Sequence, residues 1–243
     1  MIKRFKQLDP EPPWTVFSAF GMMVAMFITL VVGAALAQIA LPDSASALVM
    51  MAGWSIGMAL TAFAMLNLRR RTADDVMALA IGETSSKLPI IFVFSLGMAG
   101  VLDLASWIAS GDKTLAAAEL LNFDSTIVFS GWVIAVLFMG VLQPLAEELV
   151  FRGLLFPALR LSTGTWAGWV MCAAFYAAFH LLAYLPQDAG QTLFFWYGLT
   201  LPFLIGLVIS GVRAITGSTR AAIVAHAAFG LFAVFKVWIL TTG

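Results

Sequence analysis

The feature that most constrains this chain is a series of long apolar segments, each long enough to cross a lipid bilayer. A helix needs about 20 mostly apolar residues to cross about 30 Å of hydrocarbon. The 243 residues are 62% hydrophobic and 11% charged, whereas a soluble domain carries about 25% charged residues. Seven segments meet the length requirement: 14–41, 45–68, 88–110, 125–159, 166–185, 193–215 and 219–240. The sequence therefore predicts an all-α fold, a polytopic transmembrane bundle of about seven to eight helices.

The whole chain, residues 1–243, is predicted to form a single integral membrane domain. Its first apolar segment is too long for the core of a secretory signal, so we expect it to be retained as a transmembrane helix. The fourth segment is long for one span, and Pro144 within it should kink the helix. The short segment 113–121 favours a helix and is predicted to lie at the membrane interface.

Basic residues fall almost entirely on one side of this arrangement. If the N-terminus is cytoplasmic and the spans alternate, eleven Lys and Arg residues face the cytoplasm, and only Lys113 and Lys236 face outward. Such an excess is typical of the cytoplasmic side of a membrane protein. The formal net charge is zero, which gives no basic excess for nucleic acid. We therefore predict a cytoplasmic N-terminus, contact with the lipid bilayer and no nucleic-acid partner.

A charge within a span is costly, and an ionisable side chain there is a functional candidate by default. Asp103 in the third span is one candidate, which we interpret as a polar residue that bridges helices near Ser106. Five others fall within or near the later spans and are the candidates for a functional site. They are Glu147, Glu148, Arg152, His180 and His226, and the chain has no other histidine. Glu147 and His180 are almost equally far from the turn between the fourth and fifth helices, so an antiparallel pair places them at similar depth. His226 reaches a similar depth from the turn before the last helix. We expect one shared site in the cytoplasmic half of the membrane.

The two adjacent glutamates should have different roles, because neighbouring residues on a helix point about 100° apart. Glu148 and Arg152 are four residues apart, which predicts an ion pair. Glu147 has Phe151 at that spacing, so it is the better candidate for a base that takes a proton from water. The histidines could ligate a metal ion, donate hydrogen bonds to an oxyanion, or simply bridge helices. The sequence leaves these roles open.

A known family shares these motifs. Residues 147–152 read EELVFR, an EExxxR motif that GLLF follows, and two histidines come later on membrane helices. Residues 125–240 resemble the CPBP intramembrane proteases, which include CAAX prenyl endopeptidases and the bacteriocin-processing or immunity-type (Abi) relatives. The resemblance implies a helical bundle with a cavity, in a bacterial inner membrane. It also implies that Glu147 activates water with support from Glu148 and Arg152.

By the same resemblance, His180 and His226 would bind a metal ion or the oxyanion. A set formed by Glu147, His180 and His226 would suit Zn²⁺ as a cofactor, as in a metalloprotease, although a glutamate can also activate water without a metal. Two positions depart from the family pattern: Tyr176 replaces the phenylalanine of FxxxH, and Gly230 replaces the Asn or Asp of HxxxN. If that side chain normally helps to hold the oxyanion, its loss removes about 2.7–4 kcal/mol of transition-state stabilisation.

Three functions remain. The first is a glutamate-dependent intramembrane endopeptidase, a hydrolase of the CAAX-protease type that cuts a peptide or protein near the cytoplasmic face. The second is a non-catalytic relative that acts as an immunity or scaffold partner of another membrane protein, which Gly230 favours. A transporter is less favoured, because the chain lacks two halves with corresponding broken helices.

Overall fold

The computed structural model describes residues 2–42, 44, 46–81, 87–112, 117–121, 123, 127–184, 190–191 and 193–242. Within these residues the fold is helical and contains no strand. The helices are α1 (Ile2–Lys6), α2 (Val16–Ala40), α3 (Ser46–Leu68), α4 (Ala73–Leu79), α5 (Leu88–Ser110), α6 (Phe129–Thr163), α7 (Thr165–Ala183), α8 (Leu193–Thr200 continuing as Leu201–Thr216) and α9 (Thr219–Thr242).

Seven of these helices are long and apolar enough to cross a membrane: α2, α3, α5, α6, α7, α8 and α9. This finding confirms the predicted polytopic helical bundle, and the chain has the build of an integral membrane protein. The helix bounds differ from the predicted spans by a few residues. The largest difference is in α6, which begins at Phe129 and continues to Thr163.

Glycines hold α2 against α3. A Cβ added to Gly33 would overlap the carbonyl oxygen of Gly53, and one added to Gly57 would lie 2.7 Å from the Cα of Leu30. Membrane helices associate through close packing and not through exclusion of water, so small residues favour such contacts. The resulting helix pair packs against α6.

Helix α6 carries the candidate glutamates and is irregular. Two of its segments are π-helical, with hydrogen bonds between residues five apart. They are Phe138–Leu142 and Leu149–Leu155. Pro144 has no backbone N–H to donate to the preceding turn, and the first π-helical segment lies directly before it. The structure thus places a π-helical segment where the sequence predicted a kink. Such segments are frequent at functional sites.

The segment before α2 ties α6 to α8. The Asp9 carboxylate lies 3.2 Å from the guanidinium of Arg160 on α6 and 2.7 Å from that of Arg213 on α8. Trp14 Nε1 donates a hydrogen bond to the carbonyl of Leu154, inside the second π-helical segment. These contacts hold together the end of the bundle that contains the α6–α7 turn.

The structure describes only residues 117–121 of the segment 113–121, for which an interfacial helix was predicted. Residues 113–116 lie outside the described residues. Ala118–Leu120 forms a short 3-10 helix, and all three of its side chains are buried. Ala118 and Leu120 join the apolar core, so this connection between α5 and α6 folds into the bundle and carries Glu119 inward.

Candidate active site

The structure brings the five predicted ionisable residues together. Glu147, Glu148 and Arg152 lie on α6 and are completely buried. His180 on α7 and His226 on α9 are 7% and 4% exposed. The Nε2 atoms of His180 and His226 lie 3.8 Å and 4.0 Å from Oε2 of Glu147. Three helices therefore deliver these side chains to one point.

Glu148 links three helices through one carboxylate oxygen. Its Oε1 accepts hydrogen bonds from Arg152 Nη1 at 2.9 Å and from His226 Nδ1 at 2.8 Å. Arg152 also donates to Ser210 Oγ at 3.2 Å and to the carbonyl of Gly206 at 3.1 Å, both on α8. The predicted ion pair is confirmed, and it also joins α6 to α8 and α9.

These hydrogen bonds determine the tautomer of each histidine in its neutral form. A carboxylate and a backbone carbonyl can only accept hydrogen bonds. Nδ1 of His226 therefore donates to Glu148, and Nδ1 of His180 donates to the carbonyl of Tyr176 at 3.2 Å. The lone pair of each ring is then on Nε2, the atom nearer to Glu147.

Glu147 is held through one oxygen and presents the other. Its Oε1 accepts hydrogen bonds from the Tyr184 hydroxyl at 2.8 Å and from Gln143 Nε2 at 3.2 Å. Its Oε2 is buried and has no hydrogen-bond partner in the described part of the protein. Oε2 and the two Nε2 atoms form a group of acceptors, and buried acceptors are stabilised by a donor such as water.

Four residues complete the site without having been proposed for it from the sequence. They are Glu119, Gln143, Tyr176 and Tyr184. Glu119 Oε1 accepts a hydrogen bond from Gln143 Nε2 at 2.7 Å and lies 3.6 Å from Nε2 of His180. Burial raises the pKa of the Glu119 carboxyl above its ordinary value, and the hydrogen bond from Gln143 opposes that rise. Gln143 precedes Glu147 by one helical turn, a spacing that the sequence displays.

The donor set suits Zn²⁺ in chemistry, but the donor atoms lie farther apart than the ligands of a bound zinc ion. Two ligands of a tetrahedral Zn²⁺ ion are about 3.4 Å apart when each bond is about 2.0–2.1 Å. The histidine nitrogens lie 3.8 Å and 4.0 Å from Glu147 Oε2, and Nε2 of His226 already faces the Tyr176 hydroxyl at 3.3 Å. Among the described residues, no three His, Cys, Asp or Glu side chains are arranged to hold a metal ion.

A cavity lies beside this cluster. One end is lined by Glu119, Gln143, Tyr176, His180 and His226. Its walls are mainly apolar side chains of α5, α8 and α9. The other end holds Asp103 of α5 and Lys236 of α9, which form an ion pair of 2.5 Å. Glu147 lies behind the first end, in contact with three of its lining residues.

The cavity extends away from the α6–α7 turn. Lys236 follows His226 by almost three helical turns, or about 15 Å along α9, and Glu119 belongs to the α5–α6 connection. Under the predicted orientation this end of the bundle faces outward. The predicted position of the site in the cytoplasmic half of the membrane stays a prediction, because it depends on the orientation of the chain in the membrane.

The fold and the site together define a class: a helical integral membrane protein with a buried glutamate–histidine cluster beside a cavity between its helices. Residues 129–232, from α6 into α9, match the family model described as type II CAAX prenyl endopeptidase Rce1-like, which belongs to the CPBP/Abi family. The match confirms the resemblance predicted from the sequence and covers every predicted site residue. No curated protein and no solved structure matches the chain.

Proposed function

We propose that the protein is an intramembrane endopeptidase in which Glu147 activates water for attack on a peptide bond. The observation that carries the proposal is the Oε2 atom of Glu147, which is buried, has no hydrogen-bond partner among the described residues and faces Nε2 of both histidines. A water molecule there would donate one hydrogen to Oε2 and the other to a histidine nitrogen. The family match over residues 129–232 supports peptide hydrolysis as the reaction.

The steps follow from this placement. Glu147 takes a proton from water, the water oxygen bonds to the carbonyl carbon, and the carbonyl electron pair moves to its oxygen. The electron pair on that oxygen then re-forms the C=O bond as the C–N bond breaks. The C–N electron pair stays on the nitrogen, and the nitrogen receives the proton from Glu147. Glu148 and Arg152 act through His226 and α8, which they hold in position.

The cavity is proposed to bind the substrate. Its walls are mainly apolar, which suits an apolar peptide segment that leaves the lipid. The description of the matching family names CAAX prenyl endopeptidases. A prenylated peptide with a CAAX end is therefore the first substrate to test, beside an apolar peptide without the prenyl group.

Replacing Glu147 with glutamine should reduce cleavage about 10²–10⁴-fold, the usual contribution of a general base. The amide cannot take a proton, but it keeps the shape of the side chain and can still accept the hydrogen bond from Tyr184. The measurement is peptide cleavage by the purified protein in liposomes, with products identified by mass spectrometry. Glu11→Gln is the matched control, because Glu11 is exposed and lies outside the spans. Wild-type cleavage by Glu147→Gln would contradict the proposal.

A zinc-dependent form of the same reaction is the second proposal. Glu147, His180 and His226 would hold the ion, and His226 Nε2 would have to exchange the Tyr176 hydroxyl for the metal. Dialysis against a chelator, followed by zinc analysis, separates the two forms. Activation of water by Glu147 alone predicts the full rate without bound zinc. A rate that is lost on chelation and restored by Zn²⁺ would establish the metal-dependent form.

The substrate is proposed to reach the site from the side opposite the α6–α7 turn, which is the outer side if the N-terminus is cytoplasmic. Cys172 is the only cysteine and is buried, so single introduced cysteines can be labelled selectively. A small membrane-impermeant thiol reagent added to intact cells should label Ala233→Cys, in the cavity wall, and spare Ser162→Cys, beside the turn. Inverted vesicles should give the reverse pattern. Labelling of both variants from one side would contradict the proposed access.

A non-catalytic immunity or scaffold protein is the rival function. Gly230 favours it, because this position in the cavity wall has no side chain to offer a substrate. The rival predicts that Glu147→Gln leaves the cellular phenotype intact, whereas substitutions on lipid-facing helix surfaces abolish it. The proposed endopeptidase activity predicts that Glu147→Gln abolishes the phenotype and that substitutions on lipid-facing helix surfaces leave it intact.

A further inference from the structure

The proposed reaction needs a hydrogen-bond donor for the oxyanion. Negative charge develops on the carbonyl oxygen as water attacks, and a donor fixed at that position lowers the barrier. Gly230 lies one turn after His226 on the cavity wall and has no side chain. A Cβ there would overlap the carbonyl oxygen of Met139 and lie 2.9 Å from its carbonyl carbon. The backbone of α6 therefore fills the space in which α9 could have placed a further donor.

Other donors near Glu147 already have partners. Gln143 Nε2 directs its hydrogens to Glu119 and to Glu147. The hydroxyl of Tyr184 donates to Glu147. Arg152 is completely buried and donates to groups on α6 and α8. Among the described residues that line this end of the cavity, the remaining hydroxyl is that of Tyr176.

We propose that the hydroxyl of Tyr176 donates the hydrogen bond that holds the oxyanion, an inference that rests on the proposed peptide hydrolysis. Tyr176 lies on α7 one turn before His180 and lines the cavity. Its hydroxyl oxygen is 3.3 Å from Nε2 of His226, which lies 4.0 Å from Oε2 of Glu147. The hydroxyl therefore contacts the imidazole nitrogen that faces Oε2 of Glu147, the atom proposed to take the proton from water.

The Tyr176 ring is fixed, while its hydroxyl hydrogen can turn. The guanidinium of Arg152 lies 4.4 Å from the ring centroid, and the Phe151 ring meets it edge-on at 5.3 Å. The contact with His226 is longer than the usual 2.5–3.0 Å or so of a hydroxyl hydrogen bond, and a hydroxyl hydrogen rotates to suit its acceptor. The hydrogen can therefore pass from the imidazole to a developing oxyanion without movement of the ring.

Tyr176→Phe tests this role, because it removes one oxygen atom and keeps the ring under Arg152. We expect kcat to fall about 10²–10³-fold, the cost of losing one oxyanion donor. KM should change little, because the bond forms only in the transition state. A peptide aldehyde, whose hydrate resembles the tetrahedral intermediate, should bind more weakly by a similar factor. The affinity of uncleaved peptide, measured in the Glu147→Gln background, should stay the same.

The outcomes separate this inference from the proposed function. If Glu147→Gln loses cleavage while Tyr176→Phe cleaves at the wild-type rate, the role of Tyr176 is wrong and the endopeptidase stands. A lower kcat with unchanged aldehyde affinity and weaker resistance to unfolding would assign Tyr176 a structural role and overturn the inference. If the wild-type protein does not cleave peptides, or Glu147→Gln cleaves at full rate, both proposals fail.

Discussion

Replacing Arg152 with methionine should lower the free energy of unfolding by about 3–5 kcal/mol, because it would leave Glu148 as a buried charge without its partner. Both side chains are completely buried, and they form an ion pair of 2.9 Å. Methionine fills much of the same volume, so the loss of charge pairing outweighs the loss of packing. The measurement is denaturant unfolding of the purified protein in detergent micelles.

A second substitution tests whether the unpaired charge is the cause. Glu148→Gln, added to Arg152→Met, removes that charge and leaves an amide oxygen that can still accept the hydrogen bond from His226. The double variant should therefore be more stable than Arg152→Met alone, although it keeps fewer of the original contacts. Equal stability of the two variants would show that the lost hydrogen bonds to α8, and not the unpaired charge of Glu148, cause the loss of stability.

The spans could be predicted from the sequence because hydrocarbon thickness sets their length and permits few charges. The shared depth of Glu147, His180 and His226 followed from the lengths of antiparallel helices. The position of the cavity did not follow, since it depends on how α5, α8 and α9 pack around it.

Two signals for the remaining site residues were present in the sequence. Tyr176 and His180 are one helical turn apart, which places them on one face of α7, and Tyr184, directly after the end of α7, continues the same spacing. Gln143 has the same relation to Glu147. Glu119 gave no such signal, because it comes from a connection between spans, and helix periodicity does not indicate which connections fold inward. Hydrophobic periodicity also did not indicate the two π-helical segments of α6, Phe138–Leu142 and Leu149–Leu155.

Restoring asparagine at position 230 should damage the protein, although the family motif suggests that it would improve the active site. The reason is the contact between α9 and α6. A Cβ on residue 230 would overlap the carbonyl oxygen of Met139 and lie 2.9 Å from the carbonyl carbon. Backbone atoms cannot turn aside as a side chain can, so we expect a loss of about 3 kcal/mol or more in the free energy of unfolding. Cleavage should fall with it, because α6 and α9 carry Glu147 and His226.

Two alanine variants isolate the steric cause. Alanine favours a helix over glycine by about 1 kcal/mol, so a helical glycine with free space around it should gain stability on this change. Gly211 on α8 is such a position, since its nearest neighbour to an added Cβ is Trp169 Nε1 at 3.8 Å. Gly211→Ala should therefore leave stability unchanged or raise it, while Gly230→Ala should lower it. If Gly230→Asn instead raised kcat and kept its stability, the α6–α9 contact would have to be wider in the membrane, and the oxyanion would have a donor on α9 rather than the hydroxyl of Tyr176.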